Sequence, residues 1–589
     1  MFIRRLKIKE FRNLKDFEIA FSETAQLPAG EIKALKSHAI IGQNGSGKSN
    51  LLEVIITIFR DLDLNDVASL DYELEYELRG HIINLEAMKD QKPKVLIDGE
   101  KSSTKIITDN PHTYLPAHIF AYYSGKNQRI EELFYPHLER FNKKMRSGSQ
   151  EYMPAHLLDN FDGTQASAGK IKAHEERVQR ARQNMGNDEL RRLFYCRGPH
   201  TQLVLLSCLL SDDPVFRQLT DDLGIIELDS ALFVLKQPHS LKSRLDENDI
   251  ANGDSRFWYA GGTVVSEFLD KLWDVAIAPI DQKVQKRIDF RGRREQQEQL
   301  YLFVPDNEKL KELGEKVGPP KWFFRYAEGA YIGDLIDEVR ITVKHKDVEG
   351  NISFDQLSEG EVQLLTVLGL MRITSQDHCL FLLDEPDTHL NPIWKLRYFD
   401  DIERIIKQEE GKTLAGDSQI IITTHDPMMV GSLRKEQVRI LRNERGRSAV
   451  DEPDEHPQGM GVSGLLKSDM FGLPSTLDNR TLEELQRRND LLAKRRKEGL
   501  TDQESAELER LKTYLEDLGF SHEYRDPLYQ LFIEKMYEMR SQPLNKILSE
   551  KEIIEQEALA TEVVKELIKR EKTDDLSALA QELAIQLKR

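Results

Sequence analysis

One stretch constrains this chain more than any other. Residues 38–60 read His-Ala-Ile-Ile-Gly-Gln-Asn-Gly-Ser-Gly-Lys-Ser-Asn-Leu-Leu-Glu-Val-Ile-Ile-Thr-Ile-Phe-Arg. A short apolar strand runs into a glycine-rich turn, and the turn opens a helix with Leu51, Leu52, Ile55 and Phe59 on one face. The turn fits Gly-x-x-x-x-Gly-Lys-Ser from Gly42 to Ser49. The spacing has a chemical reason. Gly42, Gly45 and Gly47 let backbone N–H groups turn inward around a phosphate, and the helix start adds its positive dipole end. Lys48 is placed for the β- and γ-phosphates of a nucleotide, and Ser49 for Mg²⁺. Asn44 and Asn50 lie in the same wrap. A chain with this turn is an α/β nucleotide-binding protein.

Two later strand ends complete the pattern. Leu380–Leu383 is a continuous apolar run, as in a strand buried on both faces, and it ends at Asp384 and Glu385. Asp384 suits the Mg²⁺ shell, and Glu385 suits the orientation of an attacking water. Ile420–Thr424 is a second such run, ending at His425, which is placed for the γ-phosphate. Between the two halves, Leu357-Ser358-Glu359-Gly360-Glu361 introduces an apolar helix.

The order of phosphate loop, Ser-x-Gly signature, carboxylate pair and histidine resembles the ATP-binding-cassette ATPases, and within them the chromosome-maintenance, recombination-repair and overcoming-lysogenisation branch. The opening Ile3–Leu14, with its Phe11-Arg12-Asn13 turn, is similar to that branch. The resemblance implies that Ser358 and Gly360 cap the ATP of a second subunit and that Asn391 lies at the subunit junction. It also implies a glutamine loop after the strand at 119–123, with Gln128 as its Mg²⁺-sensing residue. The signature departs from the usual Leu-Ser-Gly-Gly-Gln at two positions, Glu359 and Glu361.

Composition narrows the setting. The 589 residues carry 83 Lys and Arg against 101 Asp and Glu, a net charge of −18. That balance argues against a protein that coats nucleic acid nonspecifically. Three scattered cysteines and no Cys-x-x-Cys point to a reducing, cytoplasmic setting without a disulfide framework. The sequence predicts no membrane span and no signal peptide.

Four regions are expected. Residues 1–130 form the first lobe of the ATPase head, 131–345 an inserted, mainly helical lobe, 346–475 the second lobe, and 476–589 a helical region for oligomerisation or partner docking. Residues 61–77, acidic with interleaved Leu and Tyr, are expected as an edge hairpin or an exposed strand of the first lobe. Residues 322–345 read as strand. A basic cluster at Lys283, Lys286, Arg287, Arg291, Arg293 and Arg294 reads as a solvated face sooner than a nucleic-acid patch. In the last region, Thr481 with Glu484 and Thr501 with Glu504 predict capping boxes, and Gly499 and Gly519 predict helix stops. A third helix is expected after Asp526-Pro527, and a leucine stripe at Leu576, Leu579, Leu583 and Leu587.

The tail stretches Gly499–Glu504, Leu518–Ser521 and Arg525–Tyr529 resemble the ATPases of anti-phage systems, most nearly the Septu (PtuA) family and its retron-associated relatives. That resemblance implies ATP and Mg²⁺ as cofactors and a homo-oligomer of at least two copies. It also implies an HNH nuclease partner of PtuB type, with DNA reached through the complex. The alternative from sequence is a recombination or repair ATPase that binds DNA itself.

Overall fold

In the computed structural model, residues 1–146, 192–238, 254–406, 418–520 and 558–565 are described, apart from short internal stretches. The chain divides into two compact units, Met1–Gly459 and Met460–Arg589.

The first unit is built on three sheets. An antiparallel sheet has the order β2-β1-β6-β7-β8-β9. Its strands are β1 (Phe2–Phe11), β2 (Leu14–Ala20), β6 (Tyr72–Leu78), β7 (His81–Ala87), β8 (Lys94–Ile97) and β9 (Glu100–Ser102). A small hairpin, β3 (Thr24–Gln26) and β4 (Ile32–Ala34), leads to the second sheet. That sheet has the order β11-β10-β17-β18-β5-β19-β20. It contains β5 (Ser37–Gly42), β10 (Ile119–Tyr123), β11 (Leu193–Tyr195), β17 (Leu380–Asp384), β18 (Gln419–Thr424), β19 (Val438–Glu444) and β20 (Arg447–Asp451). Every pairing from β11 to β19 is parallel.

The phosphate-loop helix, Lys48–Leu64, runs between these two sheets. Sequence spacing picked out Leu51, Leu52, Ile55 and Phe59, and all four are buried, but so are Val54, Ile56, Ile58 and Leu62. A helix apolar on several faces is one covered on several sides. Its far end is fixed by Asp63, whose carboxylate takes His137 Nε2 at 2.9 Å and Arg192 Nε at 2.6 Å.

Residues 61–77 do not form an edge hairpin. β6 lies inside its sheet, paired with β1 on one side and β7 on the other. Tyr72, Leu74, Tyr76 and Leu78 are buried. The intervening Glu73, Glu75 and Glu77 meet Lys7 and Arg4 across the strand. The acidic alternation belongs to a half-buried interior strand.

The inserted region holds a third sheet, order β13-β14-β12-β15-β16, wholly antiparallel. Its strands are β12 (Ile225–Lys236), β13 (Ile277–Arg287), β14 (Arg294–Val304), β15 (Ile336–His345) and β16 (Asn351–Ser353). The expected mainly helical lobe therefore has a five-stranded sheet beside its helices. The strand expectation for 322–345 holds only for β15. Pro320–Ile332 is a helix whose Trp322, Phe323, Phe324 and Tyr326 are buried. Its aromatic run fills a core on more than one face, and such a run carries no period that separates helix from strand.

In the second unit, helices Asn479–Lys497 and Asp502–Asp517 pair through Leu491, Leu508 and Leu511. Thr501 and Glu504 form the predicted capping box. Residues 147–191, the helix expected after Pro527 and the leucine stripe at 576–587 lie outside the described residues. Cys196, Cys208 and Cys379 are all buried, and none of them is in a disulfide. No helix among the described residues is long and apolar enough to cross a membrane.

Candidate functional site: a phosphate loop and two strand ends

The site forms where β5, β18 and β17 end side by side. The carboxylate strand is not next to the loop strand. β18 stands between them, with Thr424 opposite Ile41 and Thr423 opposite Asp384. This register decides which side chains meet.

The loop needs its glycines. Gly47 has φ 107°, and a Cβ there would fall 2.7 Å from Ser448 Oγ. Both facts exclude an ordinary side chain. Lys48 folds over the loop, donating from Nζ to Gly42 O at 2.8 Å. Burial lowers its pKa, opposed by the carboxylates of Glu385, Asp384 and Asp387. The loop is also clamped from the β1–β2 turn. Asn13 Nδ2 donates to Gly45 O at 3.0 Å, and Asn50 Nδ2 donates to Asn13 Oδ1 at 2.6 Å. Arg12 makes a two-pronged pair with Glu53, at 2.7 and 2.8 Å. Asn44 lies exposed on the loop. The Arg12–Asn13 contacts were not assigned from sequence, although the Phe-Arg-Asn turn was the visible signal.

At the end of β17, Asp384 is buried and accepts a hydrogen bond from Thr423 Oγ1. Burial raises its pKa, against the hydrogen bonds of Ser49 and Thr423. One carboxylate oxygen, Oδ2, is buried without a well-formed hydrogen bond. An orphaned carboxylate oxygen next to the Ser49 hydroxyl is a donor set that fits Mg²⁺ and its waters. Thr423 had no sequence signal beyond its place in an apolar strand.

Glu385 turns out of the strand with φ 49°, a strained conformation for a non-glycine residue. Thr423 O holds it by accepting from Glu385 N at 3.0 Å. The turn brings Glu385 Oε1 to 3.1 Å from His425 Nδ1. Both side chains remain partly open, 31% and 53% exposed, so this pair can meet a ligand where Asp384 cannot move.

The signature sits at the start of helix Glu359–Thr374. Ser358 Oγ donates to Glu361 Oε2 at 2.8 Å, and Ser358 N donates to the same oxygen at 2.7 Å. Glu361 N donates back to Ser358 Oγ at 3.3 Å. The Glu at the fifth signature position therefore completes a capping box. Gly360 is required by close approach, since a Cβ there would lie 2.6 Å from His389 O. Asn391 caps the next helix, Pro392–Ile406, accepting from Trp394 N at 2.9 Å.

Gln128 is exposed and begins the short helix Arg129–Glu132, its carbonyl accepting from Glu132 N at 2.8 Å. The strand end that reaches the carboxylates is Tyr123-Ser124. Tyr123 is in register with Asp384, and Ser124 N donates to Asp384 O at 3.3 Å.

Comparison with known proteins agrees with this geometry. Residues 1–191 match the family model described as "AAA ATPase domain", and residues 276–430 match "AAA domain, putative AbiEii toxin, Type IV TA system". Each model covers about a third of the chain or less, so these two stretches are similar to AAA ATPase domains. The chain's fold is an α/β one, with the phosphate loop after β5 of a mostly parallel sheet, an antiparallel sheet beside it, and an inserted lobe. No curated protein matches. Solved structures similar to this ATPase head include an SMC head bound to the C-terminal winged-helix domain of ScpA, at 14% identity. That match covers 77% of this chain and 97% of the other, with a TM-score of 0.31. The SMC head domain from Thermotoga maritima matches at 12% identity over 77% of this chain and 99% of its own, with a TM-score of 0.29. The recombination mediator RecF with ATP matches at 14% identity over the same shares, 77% and 99%, also with a TM-score of 0.29.

Proposed function

We propose that this chain hydrolyses ATP as the regulatory ATPase subunit of an anti-phage defence complex. The carrying observation is the Glu385–His425 pair at 3.1 Å, beside a buried Asp384 and the Lys48 loop. Lys48 and the loop N–H groups bind the phosphates. Glu385 orients and accepts a proton from the attacking water, and His425 holds the Glu385 carboxylate and faces the γ-phosphate. Ser49 and Asp384 hold Mg²⁺, which when bound neutralises charge on the phosphates. Ser358 and Gly360 cap the nucleotide of a second copy, so the working form is at least a dimer. Gln128 would have to approach the site from its loop on closure.

The defence role rests on two supports. The tail stretches resemble the Septu family, and the second family model is described as a putative toxin of a type IV toxin–antitoxin system. In this reading a PtuB-like HNH nuclease docks on the second unit, and the complex works in the cytoplasm on phage DNA. The test is the mass of the purified chain with ATP and Mg²⁺, alone and mixed with the product of the adjacent gene. A complex larger than a dimer that contains a small nuclease supports the reading. A plain ATP-dependent dimer with no partner overturns it in favour of a repair ATPase.

A further inference from the structure

The phosphate loop is braced by a residue some four hundred positions further along the chain. β5 ends at Gly42, opposite Leu441 of β19. β19 runs on to Glu444, past the point where its neighbour has become the loop. β20 then returns along β19 and sets Ser448 opposite Asn443. The hairpin so overhangs the loop. Ser448 is 5% exposed, and Ser46 of the loop is 1% exposed.

Ser448 directs two donors at this region. Its Oγ donates to Ser46 O at 2.5 Å, and its N donates to Asn13 O at 2.9 Å. Asn13 Nδ2 in turn donates to Gly45 O at 3.0 Å. Two consecutive loop carbonyls, those of Gly45 and Ser46, are thus tied to side chains of the β1–β2 turn and of β20. The same side chains crowd the next residue. A Cβ at Gly47 would lie 2.7 Å from Ser448 Oγ and 3.0 Å from Asn13 Nδ2.

The tie on Ser46 O has a consequence for the next N–H. A trans peptide points its C=O and its N–H in opposite directions. Holding Ser46 O on Ser448 therefore turns the Gly47 N–H away from the hairpin. The N–H before it, Ser46 N, donates to Gln43 O at 3.1 Å within the turn. A phosphate loop works through N–H groups aimed at the nucleotide, so the aim of this peptide matters. Local sterics do not fix it, because glycine at 47, with φ 107°, is free to adopt many backbone conformations. The Ser448 hydroxyl supplies the constraint that glycine lacks.

We propose that Ser448 is a positioning residue for the nucleotide, which acts through Ser46 O to hold the Gly47 N–H on the β-phosphate. The inference rests on the ATP-binding reading of this loop. Glu385 and His425 stand at other strand ends, so the brace serves binding and not the chemical step. The test uses the full-length chain, unaltered and with Ser448→Ala or Ser448→Thr. It reads Kd for ATP and for ADP, kcat and KM with Mg²⁺, and the melting temperature without nucleotide. Loss of one hydrogen bond in Ser448→Ala weakens ATP and ADP alike, by about 3–10-fold. KM rises in step while kcat stays within about two-fold, the pattern of lost uniform binding. Ser448→Thr keeps the hydroxyl and binds both nucleotides within about two-fold of the unaltered chain. A lower melting temperature in Ser448→Ala with Kd unchanged makes Ser448 a packing residue and overturns the proposal. A fall in kcat with KM unchanged overturns it too, as does equal weakening in the Ala and Thr variants. An unaltered chain that binds neither ATP nor ADP fails the ATP-binding reading and the brace with it. An unaltered chain that binds both, with Ser448→Ala binding as tightly, fails the brace alone.

Discussion

Asp387 gives a test of the site's electrostatics that turnover does not confound. It lies just past the carboxylate pair and is 1% exposed. Thr424 Oγ1 donates to its Oδ2 at 3.1 Å, and Oδ1 is buried without a partner. Burial is the main cause that lifts its pKa from 3.8 to about 6, with the Asp426 carboxylate adding to it. Thr424 and Lys395 pull the other way. Because the folded pKa is raised, the folded protein binds the proton more tightly than the unfolded chain. The charge therefore costs stability in full above about pH 7, and the cost disappears as pH falls below about 4. At its largest the cost is about 3 kcal/mol. Asp387→Asn keeps the shape and removes the titration. Its amide adds a buried donor, but that contribution does not vary with pH. The stability of the variant minus that of the unaltered protein therefore rises by about 1 kcal/mol between pH 5 and pH 7. Denaturant midpoints at pH 5, 6, 7 and 8 read this difference. A difference that stays constant, or shrinks toward high pH, refutes the reasoning.

Asp63 tests the far end of the loop helix. Despite burial, His137, Arg192 and Arg140 hold its carboxyl well below the usual range. Asp63→Asn leaves Arg192 buried without its anion and costs about 3–5 kcal/mol near neutral pH, seen as a lower melting temperature. This contribution is lost only as pH falls below the usual carboxylate range, and a change under about 1 kcal/mol contradicts the account. Gly360→Ala forces a Cβ to within 2.6 Å of His389 O. The overlap costs about 1–3 kcal/mol and displaces the signature, so ATP turnover falls with nucleotide binding retained. Asp384→Ala removes the buried carboxylate beside Ser49, and the Mg²⁺ needed for half-maximal turnover rises about 10–100-fold in a titration.

The parts of the site that sequence made legible are those where backbone and chemistry coincide. Gly47 must be glycine for its φ, Lys48 follows it, and the apolar runs before Asp384 and His425 are buried on both faces. Thr423 was not legible. Its hydroxyl serves Asp384 only because β18 lies between β17 and β5, and strand order is a tertiary fact. Gln128 was read from a loop, where no period fixes which side chain points inward. The inserted sheet was missed because the pairings of its central strand, β12, join residues far apart. Leu232, for example, sits opposite both Phe303 and Arg340. The edge reading of 61–77 gave weight to acidity over alternation, and the glutamates proved to be one face of an interior strand.

The central claim is that Glu385, held by His425, carries hydrolysis while Lys48 and the loop carry binding. The direct measurement is ATP binding and ATP turnover, with Mg²⁺, for the unaltered chain and Glu385→Gln. The account predicts ATP binding within a few-fold of the unaltered chain and turnover reduced by about 10²-fold or more. A Glu385→Gln chain that hydrolyses ATP as fast as the unaltered one contradicts it.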